Sequence, residues 1–95
     1  MNLRISPAVL KKLAEKHGVS EAQIVECFAN RTGKMLLDNR EQHRTNPPTQ
    51  WFISETDYAV KMKVVFIQHP GGQVEIKSAF PPNETELYIY TKHAY

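Results

Sequence analysis

The sequence predicts a single α+β domain over residues 1–95, in the order ααββββα, with a four-stranded antiparallel sheet carrying its helices on one face. Three observations predict it. Helix-period apolar spacing behind a capping serine occurs twice before Arg31, β-type runs take over from Lys34, and a capped helical pattern returns after Pro81-Pro82. The strand-like runs are joined mostly by short links, as antiparallel neighbours are, and 95 residues suffice for one modest core.

Ser6-Pro7 opens the first helix, with serine as the cap and proline at the first helical position. Leu10, Leu13 and Ala14 form its apolar stripe, while Lys11, Lys12, Glu15 and Lys16 face water. Gly18 ends it, because glycine takes the left-handed C-terminal conformation at little cost. Ser20-Glu21-Ala22-Gln23 reads as a capping box, and Val19 can staple onto Ile24. The second helix carries Ile24, Cys27 and Phe28 on one face and reaches about Asn30.

Lys34 to Asp38 reads as a short strand, followed by a polar loop from Asn39 to Pro48. Trp51-Phe52-Ile53 is the second strand and Met62 to Gln68 the third. On the third, Lys61, Lys63, Val65 and Ile67 share one face, and Met62, Val64 and Phe66 take the other. Pro70-Gly71 suits the centre of a type II turn leading into Val74 to Phe80. Asn83-Glu84-Thr85-Glu86 then caps a helix in which Leu87, Tyr90 and Ala94 share one side.

Composition excludes several classes. The chain is 41% hydrophobic and 23% charged, which is too apolar for a disordered protein. Val64-Val65-Phe66-Ile67 is far short of a membrane span, and Met1-Asn2-Leu3-Arg4 leads into a polar helix signal rather than a secretory leader. One cysteine, Cys27, cannot staple the chain, so a reducing, cytoplasmic location is expected. The net charge of +2 includes no basic arm, so nucleic acid is permitted but not announced by charge.

Side-chain chemistry narrows the field further. His17, His43, His69 and His93 are too widely spaced for a zinc signature, and no cofactor motif is present. Cys27 falls three residues after Ile24, where a core thiol belongs. Leu13-Ala14, Gly18, Ile24 and Cys27 approach the spacing of a DNA-binding helix-turn-helix. The would-be recognition helix, however, offers Glu21, Gln23 and Glu26 with no cation before Arg31, and any tight helical hairpin needs the same glycine. The segment Asp38-Asn39-Arg40-Glu41-Gln42-His43-Arg44 is different. Two arginine forks match phosphate oxygens, and a histidine beside them can exchange protons near neutral pH.

Several short motifs then align with one family. Lys16-His17-Gly18-Val19 matches the end of its first helix and Phe28 its second. Leu37-Asp38-Asn39-Arg40 matches its acidic-x-Arg segment, and Arg44 an arginine before its second strand. Val64-Val65 and Ile76-Lys77-Ser78-Ala79 match its third and fourth strands, and Asn83, Glu86 and Tyr90 its last helix. Over about residues 12–92 the chain resembles the BrnT family of bacterial toxins, small ribonucleases of the RelE-like group. It departs at Phe80, where the family carries an arginine, and at Pro81-Pro82, which replace a basic pair. The chain is also similar to short bacterial proteins sharing Cys-Phe-Ala-Asn-Arg, Trp-Phe-Ile and Lys-Val-Val-Phe-Ile, here Cys27 to Arg31, Trp51 to Ile53 and Lys63 to Ile67. These are often labelled ADP-ribosyl-(dinitrogen reductase) hydrolase. That activity belongs to larger helical proteins with several acidic residues on magnesium, and two aspartates are a poor basis for it.

The resemblance implies a BrnT/RelE-like fold and a metal-independent endoribonuclease of a type II toxin-antitoxin system. RNA is its substrate, a small antitoxin protein its partner, a homodimer its candidate assembly, and no cofactor or membrane is involved. Cleavage by attack of a ribose 2′-OH needs a proton acceptor, a proton donor and fixed positive charge. His43 is the candidate acid or base, Arg40 and Arg44 the phosphate clamps, and Lys63 and Lys77 further cations on the sheet. Tyr90 is the carried-over helix residue, placed to stack on a base or to pack with Leu87. Two other classes stay open: a non-catalytic relative that binds a protein partner, and a helix-turn-helix regulator.

Overall fold

The Ser6 hydroxyl accepts from the Val9 N–H at 3.2 Å and Pro7 takes the first helical position, starting α1 (Pro7–Lys12). In the computed structural model, which describes residues 2–38 and 45–95, α1 then widens into a π-helical turn, Leu13–His17. Gly18 ends it in the left-handed region at φ 64°. The Gly18 N–H reaches Ala14 O and the Val19 N–H reaches Leu13 O, both at 3.1 Å, so the closing loop spans one residue more than an α-helical ending needs. Val9 and Leu13 therefore face the core. Leu10 and Ala14, expected on the buried stripe, are exposed.

The expected capping box opens α2 (Glu21–Asn30). Gln23 Oε1 accepts from the Ser20 N–H at 3.0 Å, and Ser20 Oγ accepts from the Gln23 N–H at 3.3 Å. Ile24 and Cys27 are fully buried, and the Phe28 ring meets Phe52 edge-on at 4.8 Å.

The sheet has five strands, not four. β1 (Asn2–Arg4), β2 (Leu36–Leu37), β3 (Thr49–Glu55), β4 (Lys61–Gln68) and β5 (Gln73–Phe80) lie in the order β1-β5-β4-β3-β2. β2 to β5 are antiparallel as expected, while β1 adds a parallel edge, with Leu3 opposite Val74. The sheet is thus mixed, and the order ααββββα gains a leading strand. Three residues with one apolar side chain are too short to show alternation, so nothing local announced β1.

A second correction concerns the layers. Neighbouring residues on a strand point to opposite faces. Phe52 meets Phe28 of α2, whereas Trp51 meets Tyr90 of α3 (Glu84–Ala94) at 5.6 Å. Helices therefore cover both faces of the sheet rather than one. α3 begins at the predicted cap: Asn83 Oδ1 accepts from the Glu86 N–H at 2.8 Å, and Glu86 Oε1 accepts from the Asn83 N–H at 2.9 Å. It ends against the linker before β2, where Lys34 donates its N–H to Ala94 O at 3.0 Å. Among the described residues no helix is long and apolar enough to cross a membrane.

Candidate functional site

The β4–β5 hairpin gathers the chemistry-bearing groups that α3 leaves accessible. Its turn forms as the Pro70-Gly71 pair requires, with the Gly72 N–H on His69 O at 3.3 Å and the His69 N–H on Gln73 O at 2.8 Å. Further along, Val65 faces Ser78 while Phe66 faces Ile76, so Lys77 is the extra residue of a bulge. Lys77 lies two residues from Glu75 on the same strand and stays within reach of it. His69 Nε2 lies 2.8 Å from Glu75 Oε1, and Lys77 Nζ lies 3.6 Å from Glu75 Oε2. All three side chains are partly accessible, at 29%, 31% and 45%. Arg4 of β1 is the register partner of Glu75 and adds an exposed cation at the same level.

Glu75 is the electrostatic centre of this group. The His69 hydrogen bond holds its carboxyl below the usual carboxylate value. The Lys77 charge assists, against an opposing cost of desolvation. An ionised carboxylate in turn fixes the orientation of the imidazole it touches. The result is a histidine held by a carboxylate, with two cations nearby, on one face of the sheet.

The sequence-predicted residues divide into three groups. Arg40, His43 and Arg44 lie outside the described residues. Their anchors do not: the Asp38 N–H bonds to Thr49 O at 2.9 Å and Thr45 Oγ1 lies 3.0 Å from Thr49 Oγ1, at the end of the sheet nearest the His69 turn. Lys77 stands exposed on β5, beside Glu75. Lys63 and Tyr90 are turned inward. Lys63 lies 2.7 Å from Glu86 Oε2 and 4.5 Å above the Trp51 ring, while Tyr90 is buried and donates its hydroxyl to Lys34 O at 2.8 Å. Phe80 packs 5.7 Å from the His17 ring and 5.7 Å from Lys63 Nζ.

His69 and Glu75 were missed because Pro70 marks a turn and a histidine before it reads as turn chemistry. A usable signal was present: Glu75 and Lys77 two apart on one strand, with a histidine across a short turn.

Other candidates are spoken for. Burial pushes the Cys27 thiol up to about 11, with Glu26 and Asp57 adding to the effect, so it is no nucleophile at neutral pH. The exposed residues of α2 are Glu21, Ala22, Val25, Ala29 and Asn30, a face without a cation for DNA phosphates. Among the described residues, no three His, Cys, Asp or Glu side chains converge. Compared with known proteins, the sequence matches no family model and no curated protein.

Proposed function

We propose that this chain is a BrnT/RelE-like endoribonuclease domain of the cytoplasm that holds single-stranded RNA on the accessible face of β4 and β5. The observation that carries the reading is the 2.8 Å contact between His69 Nε2 and Glu75 Oε1, with Lys77 on the same carboxylate. In this reaction the 2′-OH attacks the adjacent phosphorus, its proton passes to a base, and the 5′-oxygen leaves with a proton from an acid. Histidine is the side chain suited to exchange such protons near neutral pH. Glu75 holds the ring in one orientation, and Lys77 and Arg4 offset the charge of the pentavalent phosphate. Arg40, His43 and Arg44 remain in the proposal as the phosphate clamp and second proton carrier. An antitoxin protein is the partner that the resemblance implies.

One observation favours a second reading. Phe80 puts an apolar ring where the family has an arginine, which suits a non-catalytic relative that binds a protein. Incubating an end-labelled single-stranded RNA with the purified chain in the presence of EDTA separates the two. Cleavage leaving 2′,3′-cyclic ends, reduced about a hundredfold in His69→Ala and in Arg40→Ala/Arg44→Ala, supports the ribonuclease. Intact RNA, or cleavage unchanged in both variants, leaves the protein-binding reading standing.

A further inference from the structure

At the opposite end of β4 from His69, a cleft of about 380 Å³ opens between the free edge of β3 and α3. It exists because β2 stops at Leu36 and the chain before it turns away to meet Ala94. Its apolar wall includes Ile53, Leu87 and Tyr90, and Glu55 and Lys61 also line it. The strand edge beside it is already capped. Asn30 Nδ2 donates to Glu55 O at 3.0 Å, and the Ile53 N–H points at the Tyr90 hydroxyl. An added β-strand would have to displace both, so the space suits a small ligand.

Its charges specify which kind. Glu55 and Lys61 are direct cross-strand partners, the arrangement in which opposite charges ordinarily pair. Among the described residues neither forms an ion pair. The cleft therefore presents one unpaired anion and one unpaired cation beside an apolar wall. We propose that it binds a free amino acid with an apolar side chain. The ammonium meets Glu55, the carboxylate meets Lys61, and the side chain covers Ile53 and Leu87.

Titrating L-leucine into the full chain, followed by backbone amide chemical shifts, tests this directly. The expected result is saturable shifts at Ile53, Glu55 and Leu87 with a dissociation constant on the order of 1 mM. N-acetyl-leucine and leucine amide, each lacking one charge, should bind at least tenfold more weakly. Glu55→Gln and Lys61→Met should each weaken L-leucine to the same degree; both positions are exposed, and the spectra report directly that the variants remain folded. Shifts confined to another surface, equal binding of the capped analogues, or no saturation tenfold above that range would overturn the proposal.

Discussion

A Cβ added to Gly33 would lie 2.6 Å from the Tyr90 hydroxyl oxygen and 3.0 Å from two of its ring carbons. The absence of a side chain at Gly33 is what lets Tyr90 reach the strand edge. Extending the Leu36–Trp51 register by one step on the same side would pair Lys34 with Ile53. The Tyr90 hydroxyl sits at that rung instead. It faces the Ile53 N–H and donates to Lys34 O, so a helix side chain closes the gap where β2 has ended.

Gly33→Ala should therefore cost about 1–3 kcal/mol, the usual range for forcing extra volume into a packed site. Tyr90→Phe keeps the ring against Trp51 and loses only the bridge, for about 1 kcal/mol. Urea unfolding of the two variants and their double mutant checks the coupling. The double mutant should be less destabilised than the sum, because removing the hydroxyl relieves the clash.

Lys63→Met should destabilise by roughly 2–3 kcal/mol. Its side chain is 10% exposed and that of Glu86 19%, so removing the ammonium takes a close cation away from a carboxylate in a poorly solvated place. Glu86→Gln should cost less than about 1.5 kcal/mol, since the amide oxygen can still accept from Lys63 or from the Asn83 N–H. Thermal melts beside RNA cleavage distinguish this anchoring role from RNA contact. Cleavage that falls in Lys63→Met without a lower melting temperature would assign Lys63 to the substrate.

Removing the Ser54 hydroxyl should stabilise the protein. Among the described residues, Ser54 Oγ is the buried side-chain polar atom without a hydrogen-bond partner. A buried orphan of this kind costs about 1–3 kcal/mol, and Ser54→Ala removes it while leaving only a small void. A higher urea midpoint is expected, and an unchanged or lower one would mean that the hydroxyl is satisfied in solution.

Local signals carried most of the fold. Ser6-Pro7, the Ser20–Gln23 box and the Asn83–Glu86 box each act within four residues, and each forms as its chemistry requires. What escaped depends on distant partners. β1 gains its place only by lying beside Val74, some seventy residues away. The second helical layer left a trace in the unbroken apolar runs Trp51-Phe52-Ile53 and Val64-Val65-Phe66-Ile67, which mark strands buried on both faces. Lys63 concealed it, because a lysine reads as solvent-facing until a carboxylate from α3 is known to cover it. The His69–Glu75 pair follows from the Pro70-Gly71 turn, but the turn motif by itself does not say which side chain of the returning strand meets His69.

Cys27 gives the protein an alkaline weakness. The folded thiol holds its proton up to about 11, whereas an unfolded thiol ionises near 8.5. Between these values only the unfolded state loses the proton, so stability falls as pH rises through that window, by at most about 3 kcal/mol. Comparing urea midpoints at pH 8 and pH 10 for the wild type and Cys27→Ala isolates the effect. The wild type should lose more stability than the variant, and its thiol should react with a disulfide reagent only after unfolding.

Glu75→Gln separates holding the fold from holding the histidine. The folded carboxyl titrates below its unfolded value, so its stabilising contribution is present above the unfolded carboxyl range and is lost as pH falls through the folded value. An accessible pair of this kind is worth under about 1 kcal/mol. Glu75→Gln should therefore melt within a few degrees of the wild type at pH 7, and the gap should close as the wild-type carboxyl protonates. Cleavage behaves differently if Glu75 orients His69. In the proposed ribonuclease, an amide in its place offers a neutral partner and a second rotamer, so the rate at pH 7 should fall at least tenfold while RNA affinity, which that proposal assigns to Lys77 and Arg4, stays unchanged. A rate that follows the small stability change and nothing more would reduce the pair to a hairpin contact and move the proton chemistry to His43.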